Sequence, residues 1–167
     1  TQNITDKTGI NDFSSVKIAD LFAGIGGFRL ALESVGGKCV FSSEWDQYAQ
    51  MTYKANFGDI PNGDITRIQP SSIPDIDILT AGFPCQPFSN AGLRKGINDE
   101  RGNLFEECER LLKVGLGREN KPIGFVFENV KGIMSSKMED GTSIPDEIVK
   151  RTEKLGFKTF KIPNWRI

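Results

Sequence analysis

Short apolar runs alternate along this chain with longer segments in which apolar residues recur three and four positions apart. Apolar runs of roughly four to eight residues between turn residues are typical of buried strands, and the recurring segments are typical of amphipathic helices. The predicted strands cover residues 16–22, 39–43, 75–81, 123–127 and 157–162. The predicted helices cover residues 28–35, 48–57, 104–112 and 145–155. This alternation predicts an α/β protein with a three-layer, doubly wound, mainly parallel sheet.

Length and composition limit the class of protein. The 167 residues, 38% hydrophobic and 26% charged, suit one globular domain over residues 16–167, after a polar N-terminal arm at 1–15. No apolar run approaches the ~20 residues of a membrane span, and no signal peptide is visible. Cys39, Cys85 and Cys108 are far apart and odd in number, so no disulfide framework or zinc site follows from them. Cys39 in its strand and Cys108 on the apolar face of its helix are expected to be core thiols. A reducing, cytoplasmic location is the simplest expectation.

The absence of histidine restricts the possible chemistry. It excludes Ser-His-Asp and Cys-His catalysis within the chain and the common histidine metal sites, so we expect no metal. Any general acid or base must be Asp, Glu, Lys, Tyr, Cys or water. The net charge of −1 and the pI near 5.6 also differ from the basic face of a self-sufficient DNA-binding protein.

A glycine-rich turn at residues 23–27 lies between the first predicted strand and the first helix. This is the arrangement that cradles nucleotides, because glycine lets the backbone approach a ligand closely. The dinucleotide fingerprint requires a third glycine at position 29, which is Arg29 here. The sequence therefore weakens a pyrophosphate-binding interpretation. A purely structural turn remains the alternative.

A cysteine stands on a proline-walled segment, residues 82–92, directly after the third predicted strand. Pro84 and Pro87 prevent a helix around Cys85, so its thiol is expected on a stiff turn at a strand end. Ligands bind at that edge in open α/β sheets. The alternative is a buried structural thiol. Residues 90–103 are expected to form a solvated loop that can act as a lid over Cys85.

Glu44 and Glu128 directly follow two further predicted strands, and Asp64 stands at the tip of a short turn or strand end at residues 59–65. In parallel strands these side chains share one carboxyl edge with Cys85 and the glycine turn. Trp45 beside Glu44 offers a flat face for a base, with a core anchor as the alternative. Glu128 could also be an ordinary surface carboxylate. The set suggests an adenosine-like cofactor without a diphosphate, next to a thiol and a carboxyl group at a reaction centre.

Three segments resemble motifs of the cytosine-C5 DNA methyltransferases. They are DLFAGIGGFRL at residues 20–30, GFPCQPFS at 82–89 and FENV at 127–130, in the order of that family's first, fourth and sixth motifs. The resemblance spans about residues 17–162. It implies a Rossmann-like fold of the class I methyltransferases that depend on S-adenosylmethionine.

The resemblance also implies how the cofactor is held. Phe22, Ala23, Gly24, Ile25, Gly26 and Gly27 would line the methionine end of S-adenosylmethionine. Glu44 would accept hydrogen bonds from the ribose hydroxyls. Trp45 and Ile65 would flank the adenine, and Asp64 would meet its amino group. Gly82, Pro84 and Leu104 would close the pocket.

The implied reaction transfers a methyl group to C5 of cytosine. Cys85 would add to C6 of the ring, which makes C5 nucleophilic. Glu128 would donate a proton to N3, for which its carboxyl must be protonated, as burial would favour. Asn129 would orient the base or the loop. The target base would have to leave the duplex.

Complete members of the family continue further, with an arginine-rich motif, a target-recognition domain and a final motif. We therefore expect a truncated catalytic core or one subunit of a split enzyme, with a second polypeptide supplying the rest. Double-stranded DNA is the expected substrate, bound weakly by this chain alone because it lacks a basic surface. The resemblance to this family also implies a role in a restriction-modification system. An RNA cytosine-C5 methyltransferase and an inactive cofactor-binding fragment are the alternatives.

Overall fold

The computed structural model describes residues 13–83, 104–138 and 140–163. Strands and helices alternate along the chain, as the hydrophobic pattern predicts. The strands are β1 (Lys17–Leu21), β2 (Lys38–Ser43), β3 (Ile78–Gly82) and β4 (Gly124–Glu128). The helices are α1 (Gly27–Glu33), α2 (Gln47–Phe57), α3 (Leu104–Leu116) and α4 (Ile144–Lys154). Short 3-10 turns occupy Phe13–Ser15, Ile65–Arg67, Pro70–Ser72 and Lys131–Ser135.

The four described strands form one parallel sheet in the order β2-β1-β3-β4. The chain runs from β1 outward to β2 and then returns to the other side of β1, which is the doubly wound arrangement. In register, Asp20 of β1 lies between Ser42 of β2 and Thr80 of β3. The predicted parallel α/β fold is therefore confirmed, and all the strand carboxyl ends meet at one edge.

Helices cover both faces of the sheet because the strand side chains alternate in direction. Ile18 approaches Gly37 at the end of the α1 segment, whereas Ala19 belongs to the apolar core that includes α3. Hydrogen bonds join α1 to α2 through Arg29, and join α3 to α4 through Arg151. The result is the three-layer arrangement expected from the sequence.

The larger core lies between the sheet and α3. Phe105, Cys108 and Leu112 of α3 are at most 1% exposed. The rings of Phe83, Phe105 and Phe127 lie 5.7–5.9 Å apart, centroid to centroid, in tilted and edge-on contacts. Burial raises the pKa of the Cys108 thiol, so this cysteine is an inert core residue, as its helical spacing predicts.

Some local predictions were wrong. Residues 157–162 form no strand, and the Phe157 amide instead donates to Thr152 at the end of α4. A strand requires a neighbouring backbone, which the apolar pattern alone does not supply. Cys39 is only half-buried rather than a core residue. The sequence pattern predicts that Tyr48 and Tyr53 lie on one side of α2, but Tyr48 is 81% exposed and Tyr53 is buried. Tyr53 lies on the face that meets α1, where its hydroxyl accepts a hydrogen bond from Arg29.

Candidate cofactor and catalytic site

The turn between β1 and α1 requires unusual backbone angles. Phe22 has φ +54°, and Gly24 and Gly26 have φ +55° and +94°. For a bulky residue such as Phe22 the left-handed region costs about 1–2 kcal/mol, and such strain is typical of functional turns. Hydrogen bonds from Ala23 to Ser43 (2.9 Å) and from Gly26 to Ala23 (2.8 Å) hold the turn in this form.

The glycines of the turn have different functions. A Cβ atom on Gly26 would lie 2.1 Å from the ring of Phe57, so Gly26 allows the turn to pack on α2. A Cβ atom on Gly24 or Gly27 would meet no atom of the described residues within 4 Å. Ile25 between them is 58% exposed. The turn therefore has one packed side and one open side, which suits a ligand-binding backbone better than a purely structural turn.

Glu44 connects the glycine turn to the end of β2. Its carboxylate is mostly buried, with 8% of the residue exposed. One oxygen accepts the Gly24 amide at 2.8 Å, and the other accepts the Asp46 amide at 2.9 Å. Trp45 is 65% exposed, so the alternative that it anchors the core is wrong. An acid that contacts the turn and an exposed indole thus occupy consecutive positions after β2.

Asp64 lies on a segment that is attached to the same strand end. The Asn62 carbonyl accepts the Glu44 amide at 2.8 Å, which places this segment alongside β2. Asp64 caps a 3-10 turn that begins at the buried Ile65, and its carboxylate accepts the amide and hydroxyl of Thr66 at 2.9 and 2.8 Å. Asp64 and Glu44 therefore share the carboxyl edge, as predicted.

The ends of β3 and β4 lie directly beside each other. Gly82 pairs with Glu128 in register, and a Cβ atom on Gly82 would lie 3.5 Å from a carboxylate oxygen of Glu128. The side-chain amide of Asn129 donates to the Phe83 carbonyl at 2.6 Å. Glu128 is exposed, so the expected burial of its carboxyl is not observed. The hydrogen bond therefore connects Phe83, two residues before the predicted nucleophile Cys85, with Asn129, the residue after the predicted acid Glu128.

Two predicted site residues, Cys85 and Pro84, and the predicted lid at 90–103 lie outside the described residues. Leu104 begins α3 and packs half-buried against the core. The other predicted site residues gather along the carboxyl edge of the sheet. They are Phe22, Ala23, Gly24, Ile25, Gly26, Gly27, Glu44, Trp45, Asp64, Ile65, Gly82, Glu128 and Asn129.

Comparison with known proteins identifies the family. The family model for C-5 cytosine-specific DNA methylases matches residues 16–165 of the chain. The chain belongs to this family.

Relatives agree with this assignment. The chain is 50% identical over 139 residues to Type II methyltransferase M.HhaI of Haemophilus parahaemolyticus, with 83% of this chain and 40% of that protein covered. It is 52% identical over 152 residues to Type II methyltransferase M.DsaV of Dactylococcopsis salina, with 91% and 40% covered. A crystal structure of S. pombe Dnmt2 methyltransferase matches with a TM-score of 0.64 and 25% identity, covering 84% of this chain and 41% of that one. The fold is that of the class I methyltransferases, and the chain spans about two fifths of its relatives' length.

One buried acid of this methylase chain escaped the sequence interpretation. Asp20 in β1 is 0% exposed, and one carboxyl oxygen accepts the Thr80 hydroxyl at 2.8 Å. The other oxygen is buried without a hydrogen-bond partner. Burial raises the pKa of Asp20 to about 6, although the Thr80 hydrogen bond opposes the rise. A carboxylate flanked by Ile18, Ala19 and Leu21 within the strand was the signal that could have revealed it.

No cluster of three or more potential metal ligands occurs among residues 13–83, 104–138 and 140–163 of the methylase chain. In the same ranges, no helix has the length and apolar character that crossing a membrane requires.

Proposed function

We propose that this chain is the cofactor-binding and catalytic portion of a DNA (cytosine-5-)-methyltransferase of a restriction-modification system. The observation that supports it best is the pairing of Gly82 with Glu128, together with the hydrogen bond from Asn129 to Phe83. These contacts join the two segments on which the family's thiol and acid occur. The names of the relatives, which are Type II methyltransferases, support the same reaction.

The glycine turn and its surroundings fit S-adenosylmethionine. The turn has an open side, where Gly24 and Gly27 have free space among the described residues, and the exposed Trp45 directly follows Glu44, which accepts the Gly24 amide. Glu44 uses each carboxylate oxygen once, and a carboxylate can accept about four hydrogen bonds, so it retains capacity for ribose hydroxyls. Asp64 would meet the adenine amino group. The cofactor, when bound, supplies an electrophilic methyl group.

Three residues of the chain, Cys85, Glu128 and Asn129, would each have a separate role in the reaction. The Cys85 thiolate adds to C6 of cytosine while Glu128 donates a proton to N3, which leaves C5 electron-rich. C5 takes the methyl group and then loses its proton to a base. The electrons of that C–H bond re-form the C5–C6 double bond and expel the Cys85 thiolate, and N3 returns its proton to the Glu128 carboxylate. Asn129 would hold the nucleophile segment through Phe83, and the product is 5-methylcytosine.

The location and the partners belong to the same proposal. Double-stranded DNA is the substrate, bound weakly by this chain alone. A downstream segment or a second polypeptide would supply the basic, base-reading surface. A reducing, cytoplasmic location suits a nucleophilic thiol, and Cys39 and Cys108 are free. The family assignment favours DNA over RNA as the substrate, and an inactive cofactor-binding fragment is the outcome that the following experiment would reveal.

Mechanism-based trapping tests the reaction. The chain, alone and together with any polypeptide encoded directly downstream, is mixed with S-adenosylmethionine and duplex DNA that contains 5-fluorocytosine. Fluorine at C5 cannot leave as a proton does, so the Cys85 adduct should persist in denaturing gels. The adduct should disappear in Cys85→Ser and remain in the matched control Cys39→Ser, which alters a half-buried free thiol away from the carboxyl edge. Absence of any adduct from the completed, folded protein would refute the proposed reaction.

A further inference from the structure

The third position of α1 carries an arginine that is buried against α2. Arg29 follows the glycine turn by two residues, and its side chain is only 14% exposed. Nε donates to Glu33 at 3.0 Å, and Nη1 donates to the Tyr53 hydroxyl at 3.1 Å and to the Asp59 carboxylate at 2.8–2.9 Å. The guanidinium therefore joins α1, α2 and the segment after α2.

The same guanidinium determines where Phe57 lies. Its central carbon is 4.5 Å from the centroid of the Phe57 ring, within cation–π distance. Phe57 is also the ring that contacts the turn, where a Cβ atom on Gly26 would be 2.1 Å away. One residue earlier, the Asn56 side chain donates to the Ile25 carbonyl at 3.0 Å. Arg29 thus supports the packed side of the turn through the last residues of α2.

Chain geometry brings the anionic partner to this position. Gly58 caps α2 with φ +84°, a left-handed conformation that turns the chain back toward α1. Asp59 then reaches Arg29 across 30 residues of sequence. Burial by itself would lower the pKa of Arg29, but the hydrogen bonds that Arg29 donates to Asp59 and Tyr53 raise it, so the guanidinium is fully charged. Lysine cannot reproduce several directed hydrogen bonds together with ring stacking.

We propose that Arg29 is a positioning residue for cofactor binding, because it fixes Phe57 and α2 beneath the glycine turn. The inference rests on the proposed function, in which the open side of that turn holds S-adenosylmethionine. Glu44 restrains the turn from the β2 side through the Gly24 amide, and Arg29 restrains it from the α2 side. Arg29 stands where the dinucleotide fingerprint requires its third glycine. The chain can lack that glycine because the Arg29 side chain joins α1 to α2, so close backbone packing at position 29 is not required.

The test compares Arg29→Lys and Asp59→Asn with the parent chain and with Arg118→Lys. Arg118 is a matched control because its side chain is 23% exposed and it bonds Asp75 at 3.2 Å, far from the turn. Three quantities are measured: the dissociation constant for S-adenosylmethionine by calorimetry, amide hydrogen exchange over residues 23–27, and the melting temperature. Asp59→Asn removes the ion pair while keeping the arginine, and it serves if Arg29→Lys does not fold.

We expect Arg29→Lys to weaken cofactor binding on the order of tenfold, the equivalent of one lost charge-assisted hydrogen bond. The Gly24 and Gly26 amides should exchange faster in both site variants even without cofactor, because their hydrogen bonds depend on the turn. Arg118→Lys should lower only the melting temperature. If amide exchange over residues 23–27 and cofactor affinity are unchanged in both Arg29→Lys and Asp59→Asn, the inference about Arg29 is overturned while the proposed function stands. Failure of the parent chain to bind the cofactor would overturn the proposed function and this inference with it.

Discussion

Asp20 should make the stability of the protein depend on pH in an unusual direction. Its carboxyl is 0% exposed, and burial raises its pKa from 3.8 to about 6 despite the Thr80 hydrogen bond. Each pKa unit is about 1.36 kcal/mol, so the rise corresponds to about 3 kcal/mol. Asp20→Asn removes the titration while preserving the size of the side chain and an oxygen for the Thr80 hydroxyl.

The sign follows from proton binding. Below about pH 3.8 the Asp20 carboxyl is protonated in the folded and the unfolded chain, and its contribution to stability is fully present. As the pH rises to about 6, the unfolded chain has released the proton and the folded chain still holds it. The contribution is lost over this window, and above it a charged carboxylate is buried. The free energy of unfolding of the parent chain, relative to Asp20→Asn, should therefore fall by about 2 kcal/mol between pH 4.5 and pH 7.5.

Urea unfolding followed by circular dichroism at several pH values measures this difference directly. Asp75→Asn is an informative control, because hydrogen bonds from Asn120 and Arg118 lower the pKa of Asp75. Its contribution is present above about pH 3.8 and is lost only on further acidification, so this control should stay nearly constant between pH 4.5 and pH 7.5 and fall below that range. A constant difference between the parent chain and Asp20→Asn across the whole range would refute the reasoning that burial outweighs the Thr80 hydrogen bond.

Three further substitutions test the packing and the site. Gly26→Ala should cost at least about 2 kcal/mol in urea unfolding, since φ is +94° and the added carbon meets Phe57, whereas Gly132→Ala, with nothing within 4 Å, should be nearly neutral. Phe105→Ala should cost about 3–5 kcal/mol by the same measurement, because the ring is 1% exposed; a cost below about 1 kcal/mol would contradict the assigned core. Asn129→Ala should slow adduct formation with 5-fluorocytosine DNA about tenfold, the equivalent of one lost buried hydrogen bond, while cofactor affinity changes less than about twofold. An equal loss in both would place Asn129 in the cofactor site.

Much of the fold follows from local patterns. Short apolar runs, separated by segments with helical spacing, predict parallel pairing because successive parallel strands need a crossover between them. Once the strands are parallel, every residue that follows a strand is brought to the same edge. Glu44 and Glu128 could therefore be assigned to one crevice from their positions in the chain alone, whereas Asp64 reaches it through the segment that the Asn62 carbonyl joins to Glu44. The thiol at Cys85 belongs to the same prediction, although it lies outside the described residues.

Other features depended on contacts between residues far apart in sequence, and no local pattern carried them. The pattern of residues 157–162 indicates a strand, but a strand forms only where a neighbouring backbone is available. Phe22 adopts a left-handed conformation because hydrogen bonds from Ala23 and Gly26 close the turn around it. The glycines of the turn look equivalent in sequence, yet Gly26 packs on a ring while Gly24 faces open space.

The burial of charged side chains shows most clearly which features the sequence determines and which only the tertiary structure determines. The sequence by itself determined which residue types stand at the carboxyl edge, because that depends on chain order and strand direction. Only the tertiary structure decided that Asp20 is fully buried beside Thr80 and that Arg29 lies over Phe57 with Asp59 as its partner. These partners are 28 to 60 residues apart along the chain. Their desolvation and pairing depend on how α1, α2 and the sheet pack together, and hydrophobic periodicity within one element carries no information about that packing.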